Sequence, residues 1–99
     1  MIKIKVLNNS DICEIELKGH ADFKPGNDIV CSAVSCLTCA FLEKLAEKGN
    51  IKEQKVLAGD TSFKYIKTGA ENYTDFYITG LKMIEKQYPA NVSIMVGAR

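Results

Sequence analysis

At 99 residues, the chain has the size of one domain and leaves no room for a second core. Its 46% hydrophobic and 25% charged residues suit a globular protein and exclude a disordered tail or a collagen-like or mucin-like segment. Thirteen basic residues against twelve acidic ones leave a net charge of +1, so no broad electrostatic footprint draws the chain to nucleic acid or to an anionic membrane.

The first residues alternate charge with apolar side chains instead of placing a basic segment before an apolar run. They are unlike a secretory signal, and a cytoplasmic protein is expected. Ile2, Ile4 and Val6 alternate with Lys3 and Lys5. After the turn residues Asn8, Asn9, Ser10 and Asp11, the pattern resumes as Cys13, Ile15 and Leu17 against Glu14, Glu16 and Lys18. This predicts a β-hairpin with one wet face. Residues 19–27, GHADFKPGN, set a proline beside a glycine and have no apolar period, so they form a loop, which carries the only histidine of the chain.

From Asp28 the apolar residues recur at helical spacing, with Val30, Ala33, Val34, Leu37, Phe41 and Leu45 on one side, and Gly49 with Asn50 gives the stop signal. The opposite side, with Ser32, Cys36 and Cys39, stays uncharged until Glu43. This central helix is therefore expected to be covered all round, by the sheet and by another helix or subunit. Its uncharged run, residues 29–42, is shorter than the roughly 20 residues that cross a bilayer, so no membrane partner is expected.

Short runs at residues 55–57 and 62–67, separated by Ala58, Gly59 and Asp60, suit a second antiparallel pair. A second helix over residues 71–88 sets Tyr73, Phe76, Tyr77, Leu81, Ile84 and Tyr88 on its apolar side and ends at Pro89. Val92, Ile94 and Val96 alternate with Ser93 and Met95 in a last strand. The order β-β-α-β-β-α-β predicts a single α+β domain over residues 1–99, with two layers, two helices and a mostly antiparallel sheet.

Residues 19–35, GHADFKPGNDIVCSAVS, place a histidine at a strand end and a cysteine in the opening turn of a helix. Free N–H groups and the macrodipole put about half a positive charge at a helix N-terminus, which favours thiolate over thiol. Cys31 is therefore a candidate nucleophile. His20, eleven residues earlier, has enough chain to fold back beside the sulfur and share or shuttle its proton. In the plainer alternative, Cys31 packs as a small hydrophobe and His20 is a solvated loop residue.

Cys36 and Cys39 form a C-x-x-C, which in isolation suits zinc or redox exchange. The pair lies more than a turn beyond the helix start, where a redox thiol loses the acidifying N-terminus. A zinc site would need two further ligands, and Cys13, His20 and Cys31 have no familiar zinc spacing. Both cysteines are expected to be core packing, with no metal and no cofactor, and all four cysteines to be thiols. Tyr73, Phe76, Tyr77 and Tyr88 fall at helical spacing, which makes them core or subunit interface ahead of base-stacking residues. No direct nucleic-acid partner is expected.

The GHA element, the glycine-containing loop and DIVCSAVS together resemble the ribosomal-processing cysteine protease family, Prp. The likeness is dense over residues 19–35 and rests elsewhere on length, the early hairpin and the apolar helix. It implies a catalytic pair of His20 and Cys31 and removal of an N-terminal extension from large-subunit ribosomal protein twenty-seven. It further implies a homodimer whose peptide substrate is that ribosomal protein precursor.

In such a mechanism the Cys31 thiolate attacks the scissile carbonyl, His20 protonates the leaving amine, and water releases the acyl-enzyme. Backbone N–H groups near Cys31 are the expected oxyanion donors. Asp28, within the matched motif, either caps the helix or orients His20 as a third member. Ser35 either bonds back to a helical carbonyl or supports Cys31 or the substrate. Phe23, Pro25 and Gly26 belong to a loop that would close over substrate. Two rival readings keep the fold: a protein that docks on a ribosomal protein or assembly intermediate without cutting it, and a thiol redox or metal protein built on Cys36 and Cys39.

Overall fold

The computed structural model describes residues 1–24 and 28–98. In chain order they form β1 (Ile2–Asn8), β2 (Ile12–Lys18), α1 (Ile29–Lys48), β3 (Ile51–Leu57), β4 (Asp60–Ile66), α2 (Glu71–Gln87) and β5 (Val92–Ala98). The sheet order is β3-β4-β2-β1-β5. Neighbours are antiparallel except β1 with β5, which are parallel. A parallel partner needs a crossover connection, and α2 supplies it. The α+β order read from the sequence is the observed one.

The hairpin turn follows from Asn9, whose Oδ1 accepts the N–H groups of Asp11 at 3.0 Å and Ile12 at 2.6 Å, the asparagine turn that mimics a backbone turn. Register then sorts the strands into two faces. Ile4 stands opposite Leu17 and Ile94, Val6 opposite Ile15, and Cys13 opposite Tyr65. Their side chains are buried beneath the helices, Ile94 in part. The other face pairs Lys5 with Glu16 and Glu14 with Lys64, which is the wet face the alternation predicts.

Asp28 caps α1, and Gly49 closes it by donating its N–H to the carbonyls of Ala46 and Leu45. Val30, Val34, Thr38, Phe41, Leu42 and Leu45 are buried. Within one chain α1 is covered by the sheet and by α2 but not all round, which leaves the rest to the subunit that the expectation also allowed. Ala33, Cys36 and Cys39 are exposed and Leu37 is half-buried, because a two-layer domain has only the sheet beneath α1 and α2 at its flank. The small uncharged residues of the outer face read as buried by type alone. By length and composition α1 also suffices to cross a bilayer, a test that core helices of globular domains pass as well. Here its apolar side packs on the sheet.

Phe41 is the hub of the interior. Its ring stacks on Tyr77 at 4.4 Å and meets Tyr65 edge-on at 5.4 Å and Phe63 at 6.0 Å. The two buried tyrosines keep their hydroxyls satisfied, Tyr77 with Thr38 at 2.7 Å and Tyr65 with Thr74 at 2.8 Å. On α2 only Tyr77 and Leu81 are buried. Phe76, expected on the apolar side, is 74% exposed. α1 and α2 approach most closely at Gly80, where a Cβ would stand 2.6 Å from Leu37 Cδ2, and Phe76, one turn earlier, is left at the rim of the groove beside Leu37 and Ala40.

β3 and β4 are longer than the short runs at residues 55–57 and 62–67 suggest. β3 is an edge strand whose residues from Lys52 to Leu57 are exposed. With neither face buried, it shows no alternation for a sequence reader to find.

Candidate active site

The end of β2 is pinned before the loop begins. Gly19 donates its N–H to the Gly59 carbonyl at 2.9 Å. A Cβ at Gly19 would fall 2.5 Å from the Met1 carbonyl oxygen, so only glycine fits where β1 passes. Ala21 is buried, and its carbonyl accepts the Asn91 side-chain amide at 2.9 Å. Between these fixed points His20 is exposed at the rim.

Cys31 stands in the first turn of α1, half-buried, and its Sγ receives the Ala21 N–H at 3.2 Å. A backbone donor aimed at sulfur stabilises negative charge there, as does the helix N-terminus. His20, Cys31 and Ser35 line one cleft of about 360 Å³ between α1 and the β3–β4 hairpin. Its walls include Leu17, Val34 and Leu42 on one side and Val56 and Leu57 on the other. The fold thus gathers the histidine, the cysteine and the serine of the motif around an apolar slot.

Asp28 faces the helix instead. Its Oδ1 accepts the Cys31 N–H at 2.9 Å and its Oδ2 accepts the Phe23 N–H at 3.1 Å. The geometry is that of a cap which also ties down the loop, and of the two roles read from the motif it is the cap that the structure displays. These contacts, the Cys31 N–H first, hold its carboxyl below the ordinary value of 3.8. A carboxylate with a lowered folded pKa stabilises the fold above its unfolded value and loses that contribution as pH falls through the folded value. Asp28→Ala should therefore melt below the unmodified protein at neutral pH, and the gap should begin to narrow as pH falls below about 3.8 and close as pH passes the lower folded value, as circular dichroism melts across a pH series would show.

The cap bears on the oxyanion donors. The Cys31 N–H is engaged by the Asp28 carboxylate and the Ser32 N–H by the Asp28 carbonyl, at 3.1 Å for the latter. These two donors at Cys31 and Ser32, expected to hold an oxyanion, are occupied in this structure.

Phe23 packs edge-on against Tyr88 at 5.3 Å, away from the residues that line the cleft. Pro25 and Gly26, the hinge pair of the expected gate, lie outside the described residues. Cys36 and Cys39, expected as core packing, are exposed, and Cys39 lines the far end of the cleft. The buried thiol is Cys13, pushed up in pKa chiefly by burial. Among the described residues no group of three histidine, cysteine or acidic side chains could hold a metal ion.

The β3–β4 hairpin is the wall that the sequence did not disclose. Its turn glycine signals a hairpin, but nothing local tells that the hairpin leans over Cys31. Asp60, the first residue after its turn, accepts Lys18 Nζ at 2.5 Å and Lys55 Nζ at 2.8 Å, which holds its carboxyl below its usual pKa, Lys18 contributing most.

The family model described as cysteine protease Prp matches residues 1–93. A comparison with curated proteins gives no match. Among solved structures, the chain is similar to an essential ribosomal processing protease Prp from S. aureus in complex with a covalently linked product peptide, with a TM-score of 0.85 and 20% identity over 97% of this chain and 99% of that one. The S. aureus protease with a substrate peptide superposes at a TM-score of 0.77 with 18% identity, again over 97% and 99%. A Streptococcus mutans protein gives 0.76 with 21% identity over 100% of this chain and 96% of that one.

Proposed function

This chain belongs to the cysteine protease Prp family, and from that premise we propose that it cuts the N-terminal extension from large-subunit ribosomal protein twenty-seven during ribosome maturation. The observation that carries the reading is the single cleft that holds Cys31 and His20 against an apolar wall.

The Cys31 thiolate adds to the scissile carbonyl, steadied until then by the Ala21 N–H. His20 gives a proton to the leaving amine, and the thioester that remains is hydrolysed by a water whose proton returns to His20. Ser35, one turn below Cys31 on the same wall, supports the bound peptide. The apolar slot accepts aromatic or aliphatic residues that precede the cut.

The enzyme works in the cytoplasm, on a precursor protein and not on nucleic acid, as a homodimer. The exposed apolar residues of the helix layer, Ile29 on α1 with Phe76 and Met83 on α2, suit burial against a second copy.

A peptide with the residues that precede the cut, ending in a vinyl sulfone, tests the nucleophile. Tandem mass spectrometry should find it on Cys31, with the exposed Cys36 and Cys39 as internal competitors. Equal labelling of those two thiols, with Cys31 spared, would return the C-x-x-C pair to consideration.

A further inference from the structure

The turn between β3 and β4 consists of Ala58 and Gly59, and Gly59 has φ +69. That conformation explains a glycine only in part, because asparagine and aspartate also occupy left-handed turn positions readily. A second constraint singles out glycine. A Cβ at Gly59 would lie 2.7 Å from His20 Nε2 and 2.9 Å from His20 Cε1, closer than a carbon and an imidazole can approach.

The turn is itself clamped to the strand that ends at His20. Gly19 N–H donates to the Gly59 carbonyl. Lys18 stands opposite Asp60 in register and binds its carboxylate. The same turn lines the cleft with Cys31.

We propose that Gly59 is a positioning residue for His20: the bare backbone of the β3–β4 turn forms the seat on which the imidazole rests facing the cleft. The inference deepens the proposed function and rests on His20 as the proton donor of that reaction. His20 is exposed, so a methyl group at position 59 pushes the ring aside instead of unfolding the domain. The penalty then falls on catalysis, where a displacement of about 1 Å can cost about 100-fold.

The test uses the full chain. With only one histidine in the sequence, the imidazole C–H proton resonances belong to His20 alone. Gly59→Ala and Gly59→Asn, the second chosen because asparagine tolerates the turn conformation, should both shift those resonances. Both should lower kcat by about 10- to 100-fold with a smaller change in KM. Gly69→Ala is the control, at φ +85 with nothing within 4 Å of its Cβ; it should leave resonances and kcat as in the unmodified protein.

In the unmodified protein a nuclear Overhauser contact should join the imidazole C–H protons to the Gly59 Hα protons, whatever the variants do. Unmoved resonances with full kcat in Gly59→Asn, or the absence of that contact, would overturn the seat. Full cleavage by His20→Ala would instead remove the catalytic reading, and the resonances would still decide the seat.

Discussion

Cys31→Ala is expected to abolish cleavage, by at least about 10³-fold, while leaving a folded domain that still binds its substrate. The nucleophile has no substitute within reach. Cys39, which also lines the cleft, stands eight residues further along α1, about 12 Å by helix rise. Neither it nor Cys36 has the opening-turn position or the Ala21 N–H that Cys31 has. The fold loses little, because the sulfur is half-buried and a Cys→Ala change removes only a small volume. A stability loss of about 1 kcal/mol is expected from that volume and the lost N–H···S contact. Cleavage assayed by mass spectrometry, with a thermal melt of the same sample, separates the two effects. Near-normal cleavage would show that the nucleophile is elsewhere.

Phe41→Ala should produce the largest loss of stability from a single side chain. Phe41 touches three other rings, Tyr77, Tyr65 and Phe63, and joins α1 both to the sheet and to α2. Removing it leaves a cavity that rigid rings on three sides cannot fill by collapse, which costs about 3–5 kcal/mol. In a domain of this size each 1 kcal/mol lowers Tm by about 4–8 °C, so the melting point should fall by more than about 10 °C. Phe76→Ala, at a ring 74% exposed, should change monomer stability by no more than about 0.5 kcal/mol. A comparable loss for the two would show that α2 presents a different face to α1.

The contrast between these phenylalanines marks where sequence reading stops. Both sit at helical apolar positions, and no local rule tells which of them the neighbouring helix covers. That depends on the seam at Gly80 and Leu37, a contact between residues distant in the chain. The alternation at Ile2, Ile4 and Val6 was legible because β1 has one buried face and one wet face. β3 was legible only in its last residues, 55–57, being an edge strand exposed along most of its length. The parallel pairing of β1 with β5 left no local trace either, since it joins the two ends of the chain.

At the site, the GHA and DIVC elements singled out His20 and Cys31, which line one cleft, and Asp28 was read from its place before the helix that it caps. Cys36 and Cys39 were misplaced by residue type, since small uncharged residues on a helix look buried until the number of layers is known. The hairpin wall with Gly59 was hidden, because its closeness to His20 arises only when β4 pairs with β2 and carries the turn beside the strand end.

As the protease proposed, this chain hydrolyses one peptide bond near the N-terminus of a ribosomal protein precursor. Intact-mass spectrometry of N-terminally extended large-subunit ribosomal protein twenty-seven, incubated with the protein, measures this directly. The predicted result is a single shortened product whose new N-terminus follows an aromatic or aliphatic residue. A precursor recovered at full length from a stable complex would contradict the claim and favour a docking protein that does not cut.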